Sequence, residues 1–512
     1  MLFSTYEFIL LFLPVSLGSY ALAMRAGYSR LAMFLLVLFS LFFYGWWKPA
    51  YLLLILISIG FNFLSARLID SCDGSADKRK RFGLTCFGVL VNLGALGYYK
   101  YANFFIDSVN DIAGTAFQLD PILLPLAISF FTFQQISYLV DTYKGVVKER
   151  NFVDYCVFVT FFPQLIAGPI VHHKEMMPQF SLLNKDAINF DNFAKGVAIF
   201  VIGLSSKVLI ADNIAPVADR VFAEADRGAM LTLLEAWGGA LTYTLQLYFD
   251  FSGYASMAIG LALMFGIRLP LNFNSPYKSL SIIDFWRRWH MTLSQFLRDY
   301  LYISLGGNRK GASRRYVNLL LTMLLGGLWH GAGWNFLIWG GLHGLYLVVN
   351  HGWRNQIAVH MGNQVNSILY RWLAWLLTFM AVVLAWVFFR AMTFDGAFGM
   401  VQSMLGFHGL VLPAQLAAWL PTLSWLSFAE GCAGSFGYLS LFGVLFLLIA
   451  FCVCSPNVAD QFRLLKQARP LARWEARVIW QPTVAWAVVL GLLMVACLVE
   501  MKQVSVFLYY NF

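Results

Sequence analysis

The chain is 512 residues long, and 60% of them are hydrophobic whereas only 12% are charged. A soluble domain carries roughly 25% charged residues, so this composition excludes an ordinary soluble protein and predicts a polytopic membrane protein. The net charge of +10 does not indicate nucleic-acid binding, because lysine and arginine cluster beside apolar runs, as is typical of cytoplasmic loops.

The first hundred residues contain four apolar runs that predict membrane-spanning helices. They lie near residues 8–24, 31–47, 51–68 and 82–99. The loops at 25–30 and 67–81 are rich in lysine and arginine, whereas the turn at 46–50 is poor in them. By the positive-inside rule, this alternation predicts an N-terminus outside the cytoplasm. Residues 1–24 lack a basic start and a small-residue cleavage site, so we expect a retained helix rather than a signal peptide.

Two later apolar stretches contain prolines and polar residues. Pro121 and Pro125 precede an apolar run at 127–138 that contains several polar residues. The second stretch, at 161–169, ends just before His172 and His173. Broken backbone inside a membrane must be buried in protein or line a wet cavity. We therefore expect re-entrant or broken helices around a central cavity. The two histidines are interpreted as a polar loop end at the interface, because adjacent residues on a helix face different ways.

The remaining apolar runs predict further spans. They lie near residues 193–210, where Lys207 caps the end, and near 231–265, 371–389, 436–454 and 484–499. The run at 231–265 is long enough for two segments, and an apolar insert at 409–428 is interrupted by proline. The predicted fold is therefore an all-α polytopic membrane protein. We expect roughly eleven spanning or re-entrant segments in a single membrane-embedded domain over residues 1–512.

The stretch from residue 284 to 344 concentrates ionisable and aromatic residues. His290 and His330 lie there among tryptophans, arginines and glycines. Ionisable side chains at membrane depth are functional candidates, and histidine exchanges a proton near neutral pH. The alternative is a histidine hydrogen-bonded inside a helix bundle, and we favour this structural role for His343. Asp250, a lone carboxylate in an apolar run, is predicted either to pair with a basic residue or accept backbone hydrogen bonds, or to take part in catalysis.

Five motifs in this order resemble the membrane-bound O-acyltransferase family. They are Phe161–Pro169 (FFPQLIAGP), Tyr248–Tyr254 (YFDFSGY), Asp284–His290 (DFWRRWH), Leu305–Arg309 (LGGNR) and Leu328–Ala332 (LWHGA). The likeness is greatest to the bacterial branch containing the alginate O-acetyltransferase membrane component and the D-alanyl-lipoteichoic-acid exporter. The signature core covers about 121–390. Ser256 and Ser304 depart from the family's pattern, which has an acid and a proline at these positions.

The resemblance implies that His330 is the family's membrane-embedded histidine and that His290 occupies its second signature position. Acyl transfer from a thioester to a hydroxyl needs a general base and a group that polarises the carbonyl. Gly331 and Gly333 follow His330 and are expected to break or bend the helix, so that freed backbone groups line a reaction chamber. Three tryptophans are expected to wall this chamber against water, namely Trp329, Trp334 and Trp339.

Further candidates concern donor and substrate binding. Arg287 and Arg288 are expected on the cytoplasmic face, where they would either meet donor phosphates or act as interfacial anchors. Trp329, Asn335 and Asp250 complete this candidate set. No metal site and no bound cofactor are expected, and acetyl-CoA is the expected acyl donor.

The function implied by the resemblance is O-acetylation of an extracytoplasmic polysaccharide such as alginate. Peptidoglycan and cellulose are alternative polymers within the family. The chain has no sizeable soluble domain to hold a polymer, so we expect a periplasmic acetyltransferase as partner and a location in the inner membrane. Outside the family, broken helices and buried polar residues also suit a secondary transporter or a non-enzymatic scaffold for polysaccharide export.

Overall fold

The protein is described here from a computed structural model. The structure describes residues 1–72, 77–147, 151–182, 189–362, 365, 367–413, 427–429, 437–465, 475, 479–501 and 508. By their internal contacts, these residues form two compact units. The first comprises residues 1–205, 253–271 and 481–511, and the second comprises 206–252 and 272–480.

The elements follow one another along the chain as helices, with a single small strand pair among the described residues. Up to residue 182 they are α1 (Glu7–Arg25), α2 (Ser29–Gly45), α3 (Ala50–Asp70), α4 (Lys78–Ala113), α5 (Ile128–Tyr143), α6 (Phe152–Thr160), α7 (Phe162–Leu165) and α8 (His173–Leu182). Next come α9 (Phe190–Asp226), α10 (Leu233–Met264), α11 (Ile282–Trp286), α12 (Met291–Phe296), α13 (Gly311–His330) and α14 (Trp334–Gln356). The last are α15 (Ile368–Arg390), α16 (Phe394–Met404), β1 (Val411–Pro413), β2 (Ser427–Ala429), α17 (Tyr438–Cys454), α18 (Val458–Gln461) and α19 (Val484–Glu500).

Six helices of the described residues are long and apolar enough to cross a membrane, namely α1, α3, α4, α9, α10 and α15. Helices α2, α17 and α19 are also apolar but shorter. The hydropathy pattern therefore predicted the all-α, multi-pass architecture correctly. Strands β1 and β2 pair in parallel, while most of the insert predicted at 409–428 lies outside the described residues.

The run at 231–265 forms one helix rather than two segments. Helix α10 is 32 residues long, about 48 Å at about 1.5 Å per residue, which exceeds a hydrocarbon layer of about 30 Å. Its sequence contains no proline, the residue that breaks a helix by removing a backbone donor. Apolar length alone therefore overstated the number of segments here.

In the first unit, the proline-containing run at 161–169 breaks the helical backbone as expected. Helix α6 ends at Thr160, α7 is only four residues long, and the next helix begins at His173. The Phe162 N–H donates to Ser40 Oγ at 3.2 Å, which satisfies a backbone group that the break releases. The Phe162 ring packs edge-on against Phe12 at 5.3 Å between centroids. Buried side chains of α1 and α2 thus hold the broken segment.

Small residues bring α9 and α10 close together within the first unit. A Cβ on Gly196 would lie 2.6 Å from the Gly260 carbonyl oxygen, and one on Gly203 would lie 2.6 Å from that of Gly253. Such distances leave no room for a side chain. Close backbone approach at small residues is a common way for helices to associate in membranes, where apolar burial gives little driving force.

In the second unit, α13 and α14 form a tight helical hairpin. A Cβ on Gly344 would lie 2.8 Å from the Leu320 side chain. A Cβ on Gly340 would overlap the Met323 carbonyl oxygen. The hairpin turns at residues 331–333, so its tip carries His330 and Trp334 at the two helix ends.

Candidate active site

His330 is the last residue of α13, and a short extended segment separates it from α14. The glycine predicted to break the helix is required for packing, because a Cβ on Gly331 would overlap the Phe336 ring. The break after His330 was therefore predicted correctly from the sequence. It places an imidazole at a helix end rather than in the middle of a continuous helix.

Aromatic rings enclose His330, which is 3% exposed. Its ring centroid lies 4.9 Å from that of Trp329, 5.0 Å from that of Trp339 and 5.2 Å from that of Phe389. Trp329 and Trp339 thus wall the imidazole as expected. The expectation for Trp334 is wrong, because this side chain is 55% exposed at the start of α14.

His290 lies at the N-terminal end of α12 and is completely buried. Its backbone is left-handed, with φ of 42° and ψ of 55°, a conformation that costs a non-glycine residue about 1–3 kcal/mol. The Met291 N–H donates to the Asn272 carbonyl oxygen at 2.9 Å and fixes the chain at this point. Such strain persists only where surrounding contacts determine the conformation, and it is common at functional sites.

The two histidines lie beside each other, with 6.5 Å between ring centroids. The sequence expectation of donor phosphates concerned Arg287 and Arg288, whereas His290 itself is buried next to His330. The Phe251 ring, from α10, packs edge-on against His290 at 4.9 Å. We call His290, His330 and the rings of Phe251, Trp329, Trp339 and Phe389 the histidine cluster.

Asn272 anchors His290 through its side chain. Asn272 Oδ1 lies 3.2 Å from His290 Nδ1 and accepts from Thr292 Oγ1 at 2.7 Å. Sequence reasoning did not single out Asn272. It is separated from His290 by 18 residues, and only its place in a polar stretch just before the signature at 284–290 could have drawn attention to it.

His343 extends the aromatic surroundings. It is fully buried, its ring lies 4.9 Å from that of Trp339, and its Nδ1 lies 3.3 Å from Trp286 Nε1. The indole nitrogen can only donate, so Nδ1 accepts this hydrogen bond. The structural role favoured from the sequence stays a prediction, but the residue lies much closer to the histidine cluster than its position in the sequence suggested.

The two arginines of the signature differ. Arg287 is exposed, whereas Arg288 Nε pairs with Asp284 Oδ1 at 2.9 Å and its Nη1 donates to the Asn274 carbonyl oxygen at 3.3 Å. Arg288 therefore braces the loop that leads from Asn274 to His290. Of the pair, Arg287 is the one that remains available for an anionic group.

Asn335 is engaged with backbone. Its Nδ2 donates to the carbonyl oxygens of Ala391 and Thr393 at 2.9 and 3.0 Å. These two bonds use both N–H groups of the amide. They tie the start of α14 to the connection between α15 and α16, while the expected contact of Asn335 with substrate stays a prediction.

Asp250 is part of a separate buried ion cluster with Lys207 and Asp212. Lys207 Nζ lies 3.0 Å from Asp250 Oδ1 and 3.0 Å from Asp212 Oδ1. The Lys207 and Asp250 side chains are 2% and 3% exposed. The alternative in which Asp250 pairs with a basic residue is therefore correct. Lys207 does not cap a span at the surface, because its ammonium turns inward to these two carboxylates.

His172 and His173, in the first unit, are buried rather than placed at an interfacial loop end. They are 2% and 3% exposed. The His173 ring packs 5.4 Å from Tyr138 and 5.9 Å from Phe158. Adjacent residues on a helix face different ways, but the broken backbone before α8 allows both side chains to be covered.

Among the described residues, no group of three or more His, Cys, Asp or Glu side chains is arranged to hold a metal ion. The histidine cluster combines two neighbouring imidazoles with a water-excluding aromatic wall. This combination suits proton transfer in a site of low polarity, where hydrogen bonds and charges act more strongly than in water.

Comparison with known proteins adds independent information. Residues 142–389 match the model of the membrane-bound O-acyltransferase family. The chain is 47% identical over 438 residues to the peptidoglycan O-acetyltransferase of Helicobacter pylori, covering 80% of this chain and 81% of that protein. It is 46% identical over 413 residues to the probable alginate O-acetylase AlgI of Azotobacter vinelandii, covering 80% and 78%. It is 29% identical over 233 residues to the teichoic acid D-alanyltransferase of Bacillus subtilis, covering 43% of this chain and 58% of that protein.

Proposed function

Because this chain belongs to the membrane-bound O-acyltransferase family, we propose that it takes an acetyl group from cytoplasmic acetyl-CoA for the O-acetylation of an extracytoplasmic polysaccharide. Relatives at 46–47% identity are named for the acetylation of peptidoglycan and of alginate, which supports acetyl as the group and an envelope polymer as the final acceptor. An enzyme of this family fits the multi-pass fold, so neither the transporter nor the export scaffold is proposed.

The single observation that carries the catalytic proposal is the pair of buried imidazoles 6.5 Å apart. His330 acts as general base. It removes the proton from the attacking hydroxyl while that oxygen bonds to the thioester carbonyl carbon. The tetrahedral intermediate then breaks its C–S bond, and the proton on His330 passes to the departing thiolate. The products are an acetyl ester and free CoA.

The aromatic wall contributes to this step in two ways. It excludes water, which would otherwise hydrolyse the thioester. It also carries an indole donor: Trp339 Nε1 is buried and has no hydrogen-bond acceptor among the described residues. An N–H held ready beside His330 suits the carbonyl oxygen as it gains negative charge.

The donor side of the proposal uses the cytoplasmic face. Arg287, the exposed fourth residue of the DFWRRWH motif, is proposed to meet the phosphates of acetyl-CoA by charge-assisted hydrogen bonds. No bound cofactor is proposed, because acetyl-CoA serves as a substrate. The alternating basic loops support an inner-membrane orientation with the N-terminus in the periplasm and residues 67–81 in the cytoplasm.

The acceptor side is proposed to involve a second protein. Acetyl-CoA is large and anionic and cannot cross a hydrocarbon layer of about 30 Å, whereas the polymer is outside. Only the acetyl group has to cross. We propose that a periplasmic acetyltransferase receives it on the external face and modifies the polymer.

Replacing His330 by alanine tests the catalytic proposal. Loss of a general base removes a factor of about 10²–10⁴ in rate, so His330→Ala should abolish polymer acetylation in cells that express and insert the protein normally. His360→Ala is the matched control, because His360 is exposed and outside the histidine cluster. Full polymer acetylation in a stably expressed His330→Ala strain would refute the assignment.

Reconstitution in liposomes tests the relay. Acetyl-CoA is placed on the face bearing the 67–81 loop and polymer on the other, with and without the periplasmic acetyltransferase. The proposal expects polymer acetylation only with the second protein. Efficient acetylation by this chain alone would show that the transfer is direct.

A further inference from the structure

Asn272 has a side-chain orientation that the backbone determines. Its Oδ1 lies 3.4 Å from the Thr292 backbone nitrogen and 2.7 Å from Thr292 Oγ1. A backbone N–H can only donate. The amide atom that faces it must therefore be the oxygen. In the alternative amide orientation, the Asn272 Nδ2 group, which donates, would face the Thr292 backbone N–H, which also donates. Asn272 Oδ1 is thus fixed as an acceptor at the start of α12.

The same oxygen determines the proton on His290. His290 Nδ1 lies 3.2 Å from Asn272 Oδ1, and a carbonyl oxygen can only accept, so Nδ1 carries the hydrogen. The imidazole is fully buried, and no ion pair to it is found in the part of the chain that the structure describes. A buried charge without an opposite charge is strongly unfavourable, so the ring is neutral. A neutral imidazole protonated at Nδ1 has a lone pair on Nε2.

This lone pair is buried and unused by the described residues. His290 Nε2 has no hydrogen-bond partner among them. The Phe251 and Trp329 ring centroids lie 4.9 and 6.3 Å from that of the imidazole. The faces of aromatic rings have no strong hydrogen-bond donor for the Nε2 lone pair. A buried acceptor without a donor is costly. The atom therefore suits a donor that arrives with the substrates, next to His330.

We infer that Asn272 is a positioning residue that holds His290 as the Nδ1–H tautomer, so that Nε2 accepts a hydrogen bond from an O–H or N–H of a substrate. In this tautomer His290 has no N–H to offer a carbonyl oxygen. It therefore complements His330 by binding a substrate donor group, either the hydroxyl of the acyl acceptor or an amide N–H of the acetyl-CoA arm. This inference rests on the proposed acyl transfer for its kinetic consequences, but not for the tautomer itself.

The tautomer can be measured directly in the full-length protein. Purified protein with ¹⁵N-labelled histidine rings is compared with a His290→Gln sample, which identifies the His290 signals by their loss. We expect Nδ1 to be protonated and Nε2 to be unprotonated near neutral pH. A His290 that is protonated at Nε2 would overturn the inference, whatever the enzyme's activity.

Kinetics with two variants test whether Asn272 acts through His290. Asn272→Leu removes the acceptor, whereas Thr292→Val removes the 2.7 Å hydroxyl bond to the same oxygen and preserves the shape of the side chain. For acetyl transfer from acetyl-CoA to the periplasmic acetyltransferase by purified protein, we expect at least a tenfold loss in kcat/KM for Asn272→Leu, with a changed His290 tautomer, and less than a threefold loss for Thr292→Val. Equal losses, or an unchanged tautomer in Asn272→Leu, would show a merely structural role.

The kinetic split also identifies the substrate group. A rise in KM for acetyl-CoA at constant kcat in Asn272→Leu assigns the bond to an amide of the donor arm. A fall in kcat at constant KM assigns it to the attacking hydroxyl. Failure of the proposed function has a different signature, because His330→Ala would then retain acetyl transfer while the His290 tautomer stays as described.

Discussion

The second unit contains two buried clusters that differ in whether their polar atoms have hydrogen-bond or ionic partners within the protein. In the ion cluster, Lys207 meets two carboxylates at 3.0 Å each, so the ammonium has opposite charges beside it within the protein. In the histidine cluster, His290 Nε2 and Trp339 Nε1 have no hydrogen-bond partners among the described residues. A buried polar atom without a partner is costly. The comparison indicates that the ion cluster stabilises the fold, whereas the histidine cluster keeps polar atoms available for substrates.

The largest effect, a loss of stability, is expected when the ion cluster is broken. Lys207→Met removes the ammonium that faces Asp250, and breaking one side of a buried ion pair costs about 3–5 kcal/mol. We expect a strong loss of folded protein, measured by thermal unfolding in detergent and by yield. Acetyl transfer per folded molecule should change little, because the ion cluster contains no group that the proposed reaction uses.

A second substitution checks the cause of that loss. In Lys207→Met/Asp250→Asn the facing charge is neutralised as well, and much of the stability should return. If the double variant were as unstable as Lys207→Met, lost packing rather than an unbalanced charge would explain the effect.

A smaller effect is expected when His290 is truncated. His290→Ala removes a substrate acceptor but leaves the proposed base, His330, in place. We expect acetyl transfer to fall about ten- to a hundredfold, corresponding to about 1.4–2.7 kcal/mol, with little change in yield. If acetyl transfer fell further in His290→Ala than in His330→Ala, His290 rather than His330 would be the general base.

Replacing the indole donor should have a more modest effect again. Trp339→Phe keeps an aromatic ring beside His330 but removes Nε1–H, so we expect kcat to fall about tenfold, or about 1.4 kcal/mol. Trp334→Phe is the control, since Trp334 is an indole that is 55% exposed. Equal kcat values for the two variants would exclude an oxyanion-binding role for Trp339.

The smallest effect on stability concerns the exposed arginine. Arg287→Ala should change unfolding by no more than about 0.5 kcal/mol, as is usual for surface positions, while raising KM for acetyl-CoA. Arg288→Ala should instead lower stability, because Arg288 bonds to Asp284 and to the Asn274 backbone. An unchanged KM in Arg287→Ala would show that this side chain does not meet the donor.

Local sequence signals predicted the helices and the break beside His330 well. The run predicted at 51–68 became Ala50–Asp70, and the run at 371–389 became Ile368–Arg390, because apolar length reports membrane crossing directly. Gly331 marks the end of α13 because a side chain there would overlap the ring of Phe336, which is only five residues further along the chain.

Partners distant in sequence could not be predicted in the same way. Asp250 pairs with Lys207 across 43 residues, and Trp286 meets His343 across 57. Helical periodicity shows which face of a helix a residue occupies, but not which helix lies opposite. The same limit hid Asn272, whose importance depends on one oxygen atom shared by His290 and Thr292.

The most direct test of the account is a single-turnover measurement with purified protein, acetyl-labelled acetyl-CoA and the periplasmic acetyltransferase as acceptor, in which transfer of label to that acceptor is followed. Wild type, His330→Ala and Lys207→Met/Asp250→Asn are compared at equal concentrations of folded protein. The account predicts that His330→Ala lowers the rate by a factor of about 10²–10⁴ without losing stability. The ion-cluster variant should keep a rate within a few-fold of wild type. Comparable rates in His330→Ala and wild type would contradict the claim that the histidine cluster is the site of acyl transfer.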